Sequence, residues 1–212
     1  MKNIHPLGER IKIMSSARKA EVHRKTQETD IRLRLHIDGN GKASIKTGIP
    51  FLDHMLTSLA KHGLFDLEVS AQGDLDVDIH HTNEDVGIVL GQTLVKALGD
   101  KKGIRRFGFF SIPMDESLVR VSLDVSGRPS LEVHKQKGVR FSRLENYSFH
   151  DTCEFLKAFT LHSGINMAIE VAAGHDSHHI IEAVFKATAK ALDTATQLDP
   201  RVKGIPSTKG SL

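Results

Sequence analysis

Two copies of one five-residue pattern carry most of the chemistry open to this chain: His80-His81-Thr82-Asn83-Glu84 and His178-His179-Ile180-Ile181-Glu182. Each packs three metal-ligating side chains into about one helical turn. In a helix, His80 and Glu84 stand at i, i+4 and share a face, while His81 points about a third of a turn away. Each motif can therefore serve two metal ions. A histidine pair at a helix start can also cap the helix or stay solvated; the duplication is what points to a site for two metals. Imidazole and carboxylate suit Mn, Fe, Co, Ni or Zn. The only cysteine is Cys153, which argues against an iron–sulfur cluster or a Cys-type zinc site.

The elements that hold these motifs repeat as well. Apolar and polar residues alternate from Ile31 to Gly39 and again from Val119 to Gly127, an offset of 88 (127 − 39). Both stretches read as half-buried strands, with Ile31, Leu33, Leu35 and Ile37, then Val119, Val121, Leu123 and Val125, facing a core. The motif histidines recur at an offset of 98 (178 − 80), so about ten residues are inserted in between, within the polar, unpatterned stretch 134–150.

First strands are expected at 18–26 and 105–112, and short third strands at Ala43–Lys46 and Ser130–His134. Helices follow at Phe51–Lys61 and about Thr152–His162, then strands at Phe65–Ala71 and Asn166–Ala172, and a motif helix closes each half. Asp176 and Ser177 are candidate N-caps for the second motif helix. Gly87 and Gly91, four apart in the first, suit close packing of a neighbour. The reading is an α+β fold, an internal duplication of a βββαβα unit with each sheet covered by helices on one face. The expected divisions are an extension at 1–14, repeats at 15–101 and 102–200, and a tail at 201–212.

Bulk composition sets bounds. A chain of 212 residues, 39% hydrophobic and 26% charged, can bury a proper core. The formal charge of +3, from 29 basic and 26 acidic side chains, is too small an excess to indicate nucleic-acid binding. With no tryptophan and one tyrosine, an aromatic stacking platform is disfavoured. The N-terminal stretch lacks a hydrophobic signal core, and no stretch is long and apolar enough to span a membrane. The lone cysteine fits a reducing compartment, so a cytoplasmic protein without a membrane partner is expected. Met14 offers an alternative start.

On longer motifs the chain resembles the imidazoleglycerol-phosphate dehydratase family. The matching stretches run from Thr47 to Leu56, His80 to Asp85 with Gly87 to Gly91, Pro113 to Glu116, Ser126 to Pro129, His178 to Ala187, and Asp199 to Arg201 with Pro206 to Gly210. The resemblance covers about Ala17 to Leu212. It implies a duplicated fold like a ribosomal protein S5 domain, two Mn2+ per active site, and a 24-subunit shell of trimers with interfacial sites. Three positions depart from the family's pattern: Asn166-Met167-Ala168 replaces a usual Thr-Leu-His, Asp176 a usual Asn, and Glu154 a histidine found in some relatives.

The implied reaction removes water from imidazole glycerol phosphate, giving imidazole acetol phosphate in histidine biosynthesis. Binding the imidazole as imidazolate between two metals would help expel the C3 hydroxyl and acidify the C2 proton. By resemblance the ligands are His54, His80, His81, Glu84, His178, His179 and Glu182, with Glu154 as an addition. Arg106, Arg128, Ser207 and Lys209 match phosphate contacts. Lys186 is a substrate contact or an i, i+4 salt-bridge partner of Glu182. Glu28 reads as an exposed loop carboxylate; the resemblance makes it the group that takes the C2 proton, alongside Glu84 and Glu182 as catalytic carboxylates. Other readings are a metal-dependent hydrolase on the same fold, a nucleic-acid-binding module suggested by a pI near 9, and a metal-storage shell.

Overall fold

Alternating apolar residues build the sheets and 3.6-residue periodicity builds the helices laid on them. The computed structural model describes residues 18–212; the expected extension at 1–14 and the start of the first repeat lie outside them. The first half comprises β1 (Lys19–Lys25), β2 (Thr29–His36), β3 (Ala43–Lys46), α1 (Pro50–Gly63), β4 (Asp66–Gly73) and α2 (His80–Leu98). The second comprises β5 (Phe107–Met114), β6 (Ser117–Asp124), β7 (Ser130–Lys135), α3 (Phe149–Ser163), β8 (Asn166–Ala173) and α4 (Ser177–Thr196). The βββαβα order therefore occurs twice, as expected. The strand expected from 105 starts at Phe107, because Arg105 and Arg106 send their N–H groups to Gln197 and Ala195 carbonyls instead of to a strand partner.

Strand order repeats too: β1-β2-β4-β3 in one sheet and β5-β6-β8-β7 in the other. The β3–β4 and β7–β8 pairs are parallel and the rest antiparallel. Ile31, Leu33 and Leu35 are buried, while Arg32 and Arg34 between them face outward. In the second half Val119, Val121 and Leu123 do the same. Helices α1 and α2 lie on the inner face of the first sheet, α3 and α4 on that of the second, and the two helix layers meet with α1 against α4 and α2 against α3. One continuous apolar core fills the space between the sheets.

The buried positions of α1 (Leu52, Met55, Leu56, Ser58, Leu59, Ala60, Gly63) coincide one for one with those of α3 (Thr152, Phe155, Leu156, Ala158, Phe159, Thr160, Ser163) at an offset of 100. The insertion lies between β7 and α3: that link is residues 136–148, against 47–49 between β3 and α1. Gly87 and Gly91 serve close packing, since a Cβ at Gly87 would sit 2.5 Å from the Phe155 carbonyl oxygen and one at Gly91 2.7 Å from that of Phe159.

Candidate active site

The segment before α1 explains why His54 points where it does. Pro50 occupies the first turn, where its missing N–H costs nothing. The Asp53 carboxylate turns back to accept from the Thr47 N–H at 2.8 Å and the Thr47 hydroxyl at 2.6 Å. His54 is left on the side facing α4, about half exposed. Opposite it, the Asp176 side chain caps α4 by accepting from the His178 N–H at 2.8 Å. The expected capping role of Asp176 holds; Ser177 is the first helical residue, and its hydroxyl donates to the Ser142 carbonyl.

His54, His178 and Glu182 converge, with one ligand atom from each lying within 4.8 Å of the others. Glu182 Oε2 stands 3.3 Å from His178 Nε2 and 3.7 Å from His54 Nε2. Its other oxygen accepts from Lys186 Nζ at 2.7 Å, so the i, i+4 pair is formed. Burial pushes the Glu182 pKa up, but Lys186 and the two imidazoles outweigh it, and the group stays below its usual range. Two imidazoles and an ionised carboxylate, bound to no other donor on the side facing the imidazoles, form a set suited to a divalent transition metal. A depression of about 480 Å³ adjoins it, lined by Phe51, His54 and, from the inserted loop, Leu144 to Tyr147.

The other expected ligands occupy two further places. His80 Nε2 lies 3.5 Å from Glu84 Oε2 across one turn of α2, as the spacing predicts. The rings of His80 and His81 are nearly perpendicular, at 71°, and those of His178 and His179 stand at 77°. Within each pair the imidazoles thus aim at different points. The second histidine of each motif has its Nδ1 against a carboxylate: His81 on Asp74 at 2.9 Å, His179 on Glu116 at 2.8 Å. These hydrogen bonds raise the pKa of both imidazoles. The Asp176 N–H first, then His179, hold the Glu116 carboxyl well below the usual range. Among the described residues, His54, His178 and Glu182 form the one three-ligand cluster; the α2 motif is not joined to it.

Glu28 is exposed, in the link between β1 and β2, and near enough to His81 for its charge to favour the imidazolium. Its loop is braced from below, where buried Asp85 accepts from the Thr29 hydroxyl and the Arg24 guanidinium. Glu154 aligns with His54 at the helical offset of 100, yet its carboxylate accepts from Lys157 at 3.3 Å and joins no three-ligand cluster.

Of the expected phosphate contacts, Arg106 is already engaged. Its guanidinium donates to both Asp124 oxygens, at 2.6 and 2.9 Å, and to the Pro206 carbonyl at 2.9 Å. It thereby ties the C-terminal tail to the start of β5. The tail also crosses the loop bearing Arg128, for a Cβ at Gly127 would meet the Leu212 carbonyl carbon at 2.6 Å. Ser207 and Lys209 lie in a tight turn, with the Lys209 N–H donating to the Ser207 hydroxyl.

Sequence reasoning missed Asp74 and Glu116 as partners of the motif histidines. Asp74 precedes His81 by only seven residues, a usable signal; Glu116 is distant in sequence and needed the fold. It also missed Tyr147, which donates to buried Asn83 at 2.8 Å while Asn83 donates to the Asp151 carbonyl.

The family model for imidazoleglycerol-phosphate dehydratase matches residues 47–192. The chain is 58% identical over 195 residues to the imidazoleglycerol-phosphate dehydratase of Thermoanaerobacter pseudethanolicus, covering 92% of this chain and all of the relative. It is 52% identical to that of Bacillus licheniformis, again over 92% of this chain and all of the other. The crystal structure of the Staphylococcus aureus enzyme superposes with a TM-score of 0.75 at 34% identity, covering 85% of this chain and 99% of that one. The Pyrococcus furiosus enzyme does so at 0.76 and 36%, covering 90% and 100%. Its relatives are hydro-lyases of histidine biosynthesis, and this chain belongs to the imidazoleglycerol-phosphate dehydratase family.

Proposed function

We propose that this enzyme dehydrates imidazole glycerol phosphate to imidazole acetol phosphate at a centre holding two Mn2+ ions. The observation that carries the reading is the convergence of His54, His178 and Glu182 from two helices that are far apart in sequence. The donor set fits such an ion: the ligand atoms are imidazole nitrogens and a carboxylate held ionised, whose Oε2 faces the imidazoles while Lys186 engages Oε1. His80, His81, Glu84 and His179 complete the set, with Glu154 as a further donor if its carboxylate leaves Lys157. The bound cations would supply Lewis acidity, favouring the deprotonated imidazole ring of the substrate between them.

The remaining work falls to side chains. Glu28 takes the C2 proton, a role open to an exposed carboxylate once the substrate is polarised. Arg128, Ser207 and Lys209 hold the phosphate through charge-assisted contacts, and Arg106 holds the tail that carries two of them. Because the α2 motif finds no third ligand in its own chain among the described residues, a neighbouring copy supplies it. Trimers assembled into a 24-subunit shell, as the family resemblance implies, would meet this need. Cytoplasmic residence suits such a biosynthetic enzyme; no described helix is long and apolar enough to cross a membrane.

The test is direct. Chelator-treated protein should convert imidazole glycerol phosphate only after Mn2+ is restored, with one water lost per turnover. Conversion without any divalent metal would refute the metal-dependent reading. Metal binding without conversion would favour a storage role, and phosphate release would favour a hydrolase.

A further inference from the structure

The duplication aligns Glu28 with Glu116. Each is the last residue before the second strand of its half, β2 starting at Thr29 and β6 at Ser117, and the offset is the 88 that relates those strands. The same duplication aligns His81 with His179. The two pairs nevertheless differ. Glu116 Oε2 meets His179 Nδ1 at 2.8 Å, while Glu116 Oε1 accepts from the His175 and Asp176 N–H groups. Glu28 makes no such contact with His81, whose Nδ1 belongs to Asp74.

Asp74 is the first residue after β4, and the first residue after β8 is Gly174. No side chain can replace that glycine. Its φ is +141°, and a Cβ there would lie 2.6 Å from the Ser117 hydroxyl oxygen and 2.7 Å from Ile180 Cγ1. The second half thus has no place for an aspartate at that position, and the hairpin supplies the carboxylates instead: Glu116 on His179 Nδ1 at 2.8 Å, and exposed Asp115 at 3.4 Å from Nε2.

From this we infer that Asp74 and Glu116 are positioning residues, each fixing its imidazole as the Nδ1–H tautomer so that Nε2 is left as the ligand atom, in the second half beside the exposed Asp115 carboxylate. Asp74 has a second consequence: it relieves Glu28 of the duty its twin performs, leaving that carboxylate free at the substrate side. The first-half hairpin is braced by other means, through Thr29 and Arg24 on Asp85. The aligned positions in the second half, Ser117, Ile112 and Ala183, hold no such network. Carboxylate partners of this kind orient metal-binding histidines and raise their affinity, commonly by about 10–100-fold.

The inference rests on the metal-site reading above, and Mn2+ affinity tests it by equilibrium dialysis of the full chain, without reference to turnover. Glu116→Gln is the informative variant. Its amide oxygen stays with the two loop N–H groups, so its NH2 faces His179 Nδ1 and selects the wrong tautomer. Affinity at one site should fall about 10–100-fold with the circular-dichroism spectrum and melting temperature retained. In the first half the effect should be conditional. Asp74→Gly alone and Glu28→Ala alone should each change affinity by less than about threefold, because Asp74 is intact in the second and Glu28, whose charge already acts on His81, takes its place in the first. The double variant should fall by about 10–100-fold. Unchanged affinity in Glu116→Gln would overturn the tautomer role. A full loss in Asp74→Gly alone, with nothing added by Glu28→Ala, would overturn the exchange of duties. Absence of Mn2+ binding by the unaltered protein would instead refute the metal-site reading beneath both.

Discussion

The two helix–helix contacts at the centre of the molecule are related by duplication, yet they do different things. Where α2 meets α3, Gly87 and Gly91 bring one backbone against the other. At the aligned positions α4 carries Phe185 and Ala189, both fully buried; the Phe185 ring reaches across to α3, 5.5 Å from that of Phe155. Side-chain size sets how closely helices approach. The glycine contact is a tight structural seam, sealed at its end by Asn83, Tyr147 and the Asp151 carbonyl. The α1–α4 contact keeps room at its end for His54, His178 and Glu182 to face one another. After a duplication, one copy of a packing surface can carry stability while the other carries side chains suited to bind a metal.

The sharpest way to break this comparison is to remove aligned side chains from the two contacts. His54→Ala should abolish the three-ligand cluster and most turnover, on the order of 100-fold or more in kcat, since a first ligand matters at least as much as its 10–100-fold orienting partners. Glu154→Ala, aligned with it but paired to Lys157, should lower Mn2+ content and rate much less than His54→Ala does. Equal losses in elemental analysis and assay would show that the two contacts are not divided as described.

Stability should divide the other way. Phe185→Ala should cost about 3–5 kcal/mol, as expected for a buried aromatic. Gly87→Ala should cost about 1–3 kcal/mol by overpacking against the Phe155 carbonyl. Urea unfolding measures both, and a neutral Gly87→Ala would mean that the seam can open without strain.

The smallest effect is electrostatic. Asp66 and Asn166 are aligned, at the starts of β4 and β8. The Asp66 carboxylate accepts from the Asn40 and Lys42 N–H groups, which holds its pKa below the ordinary 3.8. A depressed pKa means the stabilisation is complete above that ordinary value and is lost as pH falls through the lower folded one. Asp66→Asn should therefore flatten the acid side of the stability curve, below about pH 4, and leave it unchanged near neutrality in slope. An unaltered acid limb in unfolding experiments would remove Asp66 from the account.

Periodicity made most of the secondary structure legible. The third strand Ala43–Lys46 has the bounds expected, and the insertion inferred from offsets 88 and 98 lies between β7 and α3. The motif geometry was legible too, because i, i+4 spacing within one helix is a local property: His80–Glu84 and His178–Glu182 face each other as expected. The use of the insertion was not. A polar stretch without pattern gives no sign that Tyr147 will seal a seam or that Leu144 will border His54, since both depend on where the loop lands.

By itself, then, the sequence determined the duplication, the order of elements and the paired motifs able to bind a metal, which reside in spacing along the chain, while its longer motifs carried the resemblance to the family. Only the tertiary structure decided that His54 meets the second motif and not the first, that Arg106 is spent on Asp124 and the tail, and that Asp74 stands where Glu116 stands in the other half. Those are distances between residues remote in sequence. They follow from which helix faces which, and from side chains as small as Gly87 and Gly174, whose effect lies in the room they leave.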